Sequence, residues 1–145
     1  MLTTIEKVIF LQEIDAFANL NSEDLAHIAS ISEEVSFPKG SVIYREKGNP
    51  DSMYLIISGR VRLHQGQHEV MIAGERNAFG TWALFDDEPR VVTATTVEDS
   101  CLLRIEKEDF IDLLADNVQI TQGILKSFVG RIRGLMERAT RNINE

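Results

Sequence analysis

The middle of this chain consists of short apolar runs separated by turn-forming residues, and this pattern restricts the fold more than any other feature. Glycine, proline, asparagine or aspartate lies between successive runs, as in Gly48-Asn49-Pro50-Asp51. Short runs rich in β-branched residues, with turn signals at such intervals, are typical of an antiparallel sandwich or jelly roll. The predicted strands are residues 42–44, 53–57, 61–64, 69–72, 91–97 and 102–105.

Helical patterns flank this β region on both sides. Thr3 and Glu6 have the spacing of a capping box ahead of a first helix, and Asn21 or Ser22 precedes a second. Apolar residues three or four apart return after Lys107 and continue through a long segment. We therefore expect one mainly β domain with flanking helices. Its parts are N-terminal helices in residues 1–34, the β region in residues 35–106, and a hinge helix with a long C-terminal helix in residues 107–145.

The composition argues against several classes of protein. The net charge of −8 disfavours a general nucleic-acid-binding surface, although residues 117–145 contain five basic side chains against two acidic ones. Cys101 is the single cysteine, so no disulfide can form within the chain, which suits a reducing, cytoplasmic location. No apolar run approaches the ~20 residues that span a bilayer. We expect a cytoplasmic domain that neither binds nucleic acid directly nor inserts into a membrane.

Residues 79–96, with the sequence FGTWALFDDEPRVVTATT, form the pattern that points most clearly to chemistry. A Phe-Gly turn leads through a short apolar segment into an acidic loop, and Pro89 then precedes Arg90 and a β-branched strand. Such a turn can direct several backbone N–H groups into one concavity that binds an anion. An arginine beside it can contact a phosphate with two donors. The alternative is an ordinary β-turn followed by a solvated arginine.

This stretch resembles the phosphate-binding cassette of the cyclic nucleotide-binding domain family, whose pattern is Phe-Gly-Glu-x-Ala-Leu, several residues, and then Pro-Arg-x-Ala-Thr. The matching residues, in order, are Phe79, Gly80, Ala83, Leu84, Pro89, Arg90 and Thr93. Upstream, Gly40-Ser41-Val42-Ile43, Gly48 and residues 54–63 (YLIISGRVRL) lie at the family's spacing. Downstream, residues 101–110 (CLLRIEKEDF) resemble its last strand and the start of its hinge helix. The resemblance covers roughly residues 15 to 135.

The resemblance implies a β-roll, a double-stranded β-helix of the jelly-roll type, which binds cAMP or cGMP and requires no other cofactor. In the family, the arginine matched by Arg90 pairs with the cyclic phosphate, and backbone N–H groups near Ala83 and Val91 complete the anion site. Ligand binding repositions the hinge and C-terminal helices, which pass the signal to an effector outside this chain. The residues expected to bind the ligand are Phe79, Gly80, Thr81, Trp82, Ala83, Leu84, Arg90, Val91 and Val92.

Three departures from the family pattern surround the expected pocket. Thr81 occupies the position of a glutamate that accepts a hydrogen bond from the ribose 2′-hydroxyl. Val91 and Val92 replace smaller residues, and Arg76 replaces a glycine that precedes the cassette. The acidic residues 86–88 could substitute for the missing carboxylate, although we expect them to form a solvated loop.

Other residues with functional side chains have simpler interpretations. His64 and His68 flank a hairpin loop and are expected to be exposed, because a zinc site would need a third ligand and none is evident. Cys101 is expected to pack within a strand. Trp82 is expected to pack in the core rather than to stack on a base.

Two functions from different classes fit these observations. The first is a regulatory domain that binds a cyclic nucleotide and signals through its C-terminal helices. The second is a degenerate member of the family, which binds no nucleotide and acts as a homodimerisation or docking module through the apolar stripe of residues 118–136. We do not expect an enzyme, because the sequence shows no nucleophile–base pair and no metal constellation.

Overall fold

A computed structural model describes the backbone of residues 1–144 and the side chains of residues 1–141. The strands are β1 (Ser32–Phe37), β2 (Val42–Tyr44), β3 (Ser52–Ser58), β4 (Val61–Gln65), β5 (His68–Ala73), β6 (Ala78–Phe79), β7 (Thr93–Thr96) and β8 (Ser100–Glu106). The helices are α1 (Thr4–Leu11), α2 (Ser22–Ile31), α3 (Lys107–Asp116) and α4 (Val118–Asn144), with 3₁₀ turns at Asp15–Phe17 and Thr81–Leu84. The strands form two antiparallel sheets, in the orders β1-β8-β3-β6 and β2-β7-β4-β5. This arrangement confirms the predicted mainly β fold with flanking helices and a long C-terminal helix.

Strand β3 shows how the first sheet takes part in two cores. Its side chains point alternately to opposite faces of the sheet. Met53 and Leu55 join the core between this sheet and the helices, whereas Tyr54 and Ile56 join the core between the two sheets. Because both faces are covered, the strand is a continuous apolar run without the alternation of a half-exposed strand.

Local side-chain hydrogen bonds begin both N-terminal helices where the sequence predicts. Thr3 and Glu6 form both hydrogen bonds of the capping box at the start of α1. At the start of α2, Asn21 Oδ1 accepts a hydrogen bond from the Asp24 N–H at 2.8 Å. The two helices pack against each other, and α2 also contacts α3. Together they cover one face of the first sheet.

Strands β1 and β6 were not among the predicted strands, and strands β3, β5, β7 and β8 begin one or two residues from the predicted positions. Strand β1 begins at Ser32, before the expected start of the β region at residue 35, because it pairs with β8 along its whole length. Strand β7 begins at Thr93 rather than at residue 91. Just before it, the Arg90 N–H donates to Gly48 O at 3.0 Å, and Arg90 O accepts from the Lys47 N–H at 2.7 Å. These bonds attach the segment before Thr93 to the loop between β2 and β3 instead of to the sheet.

The first half of α4 packs closely against the N-terminal part of the chain. A Cβ atom at Gly123 would lie 2.5 Å from Leu20 Cδ2, so a larger residue at position 123 would require the Leu20 side chain to move. One turn later, Ser127 Oγ accepts a hydrogen bond from the Asn19 N–H at 3.2 Å. No helix in residues 1–144 is long and apolar enough to span a lipid bilayer.

Candidate ligand-binding site

A pocket of about 390 Å³ lies beside the turn that follows β6. Eight of the nine residues predicted to bind a ligand line this pocket, namely Phe79, Gly80, Thr81, Trp82, Ala83, Arg90, Val91 and Val92. The ninth, Leu84, does not: it is 4% exposed and packs in the core between the first sheet and the helices. The structure therefore brings one continuous stretch of sequence around one cavity, and it assigns Leu84 to the core.

Arg90 is a buried cation in the wall of the pocket, with a side chain that is only 4% exposed. Its Nη2 donates to Ser52 O at 2.7 Å and lies 3.3 Å from both Ser52 Oγ and Asp51 Oδ1. Its guanidinium carbon stacks 3.9 Å from the centre of the Tyr44 ring. The buried Nε atom has no hydrogen-bond partner among the described residues. The protein thus holds Nη2, while the buried Nε has no partner among the described residues.

Tyr44 and Tyr54, which pack with Phe79 near Arg90, were not predicted as site residues from the sequence. Phe79 stacks on Tyr54 with ring centres 5.4 Å apart, and Tyr44 lies 6.0 Å from Phe79. Burial raises the pKa of Tyr44 to about 12, although the charge of Arg90 acts in the opposite direction. Tyr44 is therefore a neutral phenol at physiological pH, and its ring offers a negative face to the cation. Tyr44 and Tyr54 reach this place through strand pairing, which no local motif signals.

Gly80 fits closely between Arg90 and the neighbouring strands. Its φ of 72° lies in the left-handed region that favours glycine. A Cβ atom there would be 2.8 Å from Arg90 Nη1 and 3.4 Å from Tyr44 Oη. The glycine of the Phe-Gly pair is therefore required twice, by the turn and by the space that Arg90 occupies.

The two backbone amides expected in the anion site differ in their hydrogen bonding. The Ala83 N–H donates to Gly80 O at 3.1 Å and closes the 3₁₀ turn. The Val91 N–H has no hydrogen-bond partner among the described residues. Of the two, only the Val91 amide is available to an anion without a change in this turn.

The expectation that Trp82 packs in the core is wrong. Its side chain is 74% exposed and lines the pocket. The 3₁₀ turn directs Ala83 and Leu84 inwards, and both are buried. Trp82 therefore points outwards and presents a large aromatic surface at the edge of the cavity.

Side chains of the acidic loop, residues 85–88, contact two different parts of the protein, the pocket and the C-terminal helices. Asp86 and Glu88 line the pocket, and both are exposed, whereas the Asp87 carboxylate pairs with Lys107 Nζ at the start of α3. Phe85 makes edge-on contacts with Phe110 of α3 at 5.6 Å and Phe128 of α4 at 5.2 Å between ring centres. The loop that borders the cavity thus also contacts both C-terminal helices.

His64, His68 and Cys101 do not line the pocket. His64 Nε2 is 2.9 Å from Thr95 Oγ1, and the strand register places Glu69, not His68, opposite His64. Within residues 1–144, no group of three or more His, Cys, Asp or Glu side chains is arranged to hold a metal ion. Cys101 is a partly buried free thiol in β8.

Among curated proteins, the chain is 26% identical over 122 residues to a CRP-like cAMP-activated global transcriptional regulator of Mycobacterium tuberculosis, covering 81% of this chain and 54% of that protein. It is 30% identical over 107 residues to a cAMP-dependent protein kinase regulatory subunit of Aspergillus fumigatus, covering 72% of this chain and 26% of that protein. The chain thus spans about half or less of the length of these relatives.

Solved structures share the fold over most of the chain. The N-terminal domain of a transcriptional regulator from Streptomyces coelicolor superimposes with a TM-score of 0.81 at 24% identity, covering 87% of this chain and 94% of that one. A putative cyclic nucleotide-binding protein from Geobacter metallireducens gives a TM-score of 0.74 at 25% identity, with 92% and 98% covered. The family model for the cyclic nucleotide-binding domain matches residues 34–117, which include the cassette, Arg90 and the whole of α3. The chain therefore belongs to the cyclic nucleotide-binding domain family.

Proposed function

We propose that this chain is a regulatory domain that binds a cyclic nucleotide, cAMP or cGMP, in the pocket beside Arg90. The observation that supports this most is the buried guanidinium in the pocket wall, whose Nη2 forms an ion pair only with the exposed carboxylate of Asp51 while its Nε has no partner among the described residues. A buried charge is costly unless it is paired, and hydrogen bonds to a phosphate satisfy a guanidinium well. The pocket of about 390 Å³ also falls within the range of ~300–1,000 Å³ that small-molecule sites occupy.

A cyclic nucleotide has a charged phosphate at one end and an apolar base at the other, and the pocket offers a cation for the first and exposed apolar side chains for the second. A cyclic phosphate bears one negative charge, which Arg90 and the Val91 N–H would bind at one end. Trp82 and Val91 are exposed at the edge, where a flat purine base would cover apolar surface. Two relatives are named for their dependence on cAMP, which supports the same ligand class.

Signal transmission through the helices is part of this proposal. Phe85 contacts Phe110 and Phe128, and Lys107 Nζ bonds to Asp86 O and to the Asp87 carboxylate. A ligand that shifts residues 81–90 would therefore alter the packing of α3 and α4. The effector that responds would lie outside this chain. We propose a cytoplasmic domain that performs no catalysis itself.

Calorimetric titration of the full chain with cAMP and with cGMP tests the proposed function. We expect micromolar binding of one of them and a loss of ~10-fold or more in Arg90→Ala, because hydrogen bonds to charged groups contribute ~1.5–3 kcal/mol. Arg60→Ala is the matched control, since Arg60 is exposed and pairs with Glu98 on the surface. Circular dichroism would show that Arg90→Ala is folded, and Arg90→Lys would retain the charge. No heat at millimolar nucleotide would contradict the proposal.

A second candidate function is homodimerisation or docking through α4. Apolar side chains of this helix are exposed in a four-three-four spacing, at Leu125, Val129, Ile132 and Met136. A stripe of this spacing is the seam that a two-stranded coiled coil uses, so a second copy of α4 fits it. Sedimentation of Ile132→Gln against Arg133→Gln tests this idea. We expect Ile132→Gln to dissociate the dimer and Arg133→Gln to leave it intact. If the unsubstituted chain sediments as a monomer, the idea is contradicted.

A further inference from the structure

We propose that the Tyr44 hydroxyl is a second side-chain donor to the anionic group of the ligand that binds at Arg90. This inference rests on the proposed function and adds a binding residue from outside the cassette. Tyr44 is the last residue of β2, far upstream of the Phe-Gly pair, and it lines the same pocket. A tyrosine on another strand thus contributes to a site that the cassette motif describes only in part.

The geometry brings the Tyr44 hydroxyl and the Arg90 guanidinium to one place at the Phe-Gly turn. The point where a Cβ atom of Gly80 would lie is 2.8 Å from Arg90 Nη1 and 3.4 Å from Tyr44 Oη. The guanidinium carbon also stacks 3.9 Å from the centre of the Tyr44 ring, which holds the two side chains together. N–H and O–H donors bond to oxygen acceptors at ~2.5–3.2 Å. One anionic group with two oxygens can therefore bind both donors.

The hydrogen bonds of the site leave the Tyr44 hydroxyl available. Arg90 Nη2 bonds to Ser52 O and pairs with the Asp51 carboxylate, whereas Tyr44 Oη has no hydrogen-bond partner among the described residues. Within the same part of the chain, the fully buried side-chain atoms without a partner are the Nε atoms of Arg90 and Arg104. Tyr44 Oη is not one of these buried atoms, so it retains accessible surface. An accessible donor next to a buried cation suits an anion.

The second tyrosine of the cluster shows that this availability is particular to Tyr44. Tyr54 is 5% exposed and does not line the pocket, and its hydroxyl accepts a hydrogen bond from Ser52 Oγ at 3.3 Å. Tyr44 also keeps its proton at physiological pH, since burial raises its pKa to about 12. A neutral phenol can donate its O–H to a negatively charged oxygen. We therefore assign the additional donor to Tyr44 and not to Tyr54.

The test uses cyclic nucleotides in which sulfur replaces one of the two exocyclic phosphate oxygens, as separate diastereomers. Sulfur is a weak acceptor, so each diastereomer removes one oxygen that a donor could contact. Calorimetry on the full chain gives the ratio of the two dissociation constants for the unsubstituted chain and for Tyr44→Phe, which keeps the aromatic ring on Arg90. We expect Tyr44→Phe to weaken the unmodified nucleotide and one diastereomer by ~10-fold, the effect of one hydrogen bond to a charged acceptor. The other diastereomer, with sulfur at the position that Tyr44 contacts, should weaken by a few-fold or less.

Tyr54→Phe is the matched control, because it removes the same hydroxyl from a neighbouring ring. It should change the affinities for the two diastereomers equally, and circular dichroism would show that both variants are folded. If Tyr44→Phe weakens both diastereomers equally or weakens neither, the hydroxyl is not a donor to the ligand, and the proposed function stands without it. The same change of ratio in Tyr54→Phe would also refute the assignment. If neither cAMP nor cGMP binds the unsubstituted chain, the proposed function fails, and the role of Tyr44 with it.

Discussion

Replacement of Gly80 by alanine tests how the cassette backbone positions Arg90. The φ of Gly80 is 72°, and a Cβ atom there would lie 2.8 Å from Arg90 Nη1 and 3.4 Å from Ser52 O. The guanidinium cannot simply swing aside, because it is buried and its Nη2 donates to Ser52 O at 2.7 Å. The variant therefore combines a backbone cost with a displaced charge.

The expected magnitude follows from these two contributions. A left-handed φ costs an alanine ~1–2 kcal/mol. Displacing Arg90 endangers a hydrogen bond from a charged donor, which contributes ~1.5–3 kcal/mol. We expect Gly80→Ala to lower the free energy of unfolding by ~2.5–5 kcal/mol. Gly40→Ala is the matched control. Gly40 has a φ of 83°, and a Cβ atom there would have no other atom within 4 Å, so this substitution incurs only the cost of the left-handed backbone conformation.

Urea denaturation followed by circular dichroism measures both variants against the unsubstituted chain. The difference between the two losses of stability isolates the contact with Arg90. We also expect Gly80→Ala to weaken nucleotide binding, whereas Gly40→Ala leaves the affinity unchanged. Equal losses of stability in the two variants would refute the reasoning, since the contact with Arg90 would then contribute nothing.

Three further predictions concern Tyr44, the single tryptophan and α4. Burial in the folded chain raises the pKa of Tyr44 from 10.0 to about 12. The stability that the neutral Tyr44 side chain contributes is therefore complete below pH 10 and is lost as the pH rises through about 12. Denaturation at several pH values should show a smaller loss over this range in Tyr44→Phe, and parallel curves would contradict it. Trp82 is the one tryptophan in the chain and lines the pocket, so saturating nucleotide should shift its fluorescence emission, and an unchanged spectrum during calorimetrically proven binding would place the ligand elsewhere. Gly123→Ala should destabilise the fold by ~1–3 kcal/mol through overpacking against Leu20, whereas Gly130→Ala, with open space around it, should stabilise it by ~0.5–1 kcal/mol. Urea denaturation checks both, and a shared sign would contradict the packing argument.

Local interactions explain what could be predicted from the sequence. The capping residues Thr3 and Asn21 act through hydrogen bonds to residues three positions away, and such bonds depend little on the rest of the fold. Turn-forming residues also act locally, so the approximate positions of most strands could be predicted from the turns between them. The cassette was predictable as a unit, because consecutive residues of one turn remain neighbours in any fold.

Only the tertiary structure decided what surrounds Arg90 and where Trp82 points. Tyr44 and Ser52 reach Arg90 because β2 pairs with β7 and the loop between β2 and β3 hydrogen-bonds to Arg90, contacts that join residues far apart in sequence. The hydrophobicity of Trp82 favoured its burial. In the folded chain, however, the 3₁₀ turn buries the side chains of Ala83 and Leu84, and the Trp82 side chain is exposed to solvent. Burial depends on which surfaces meet, and that is settled by long-range packing rather than by the properties of a single residue.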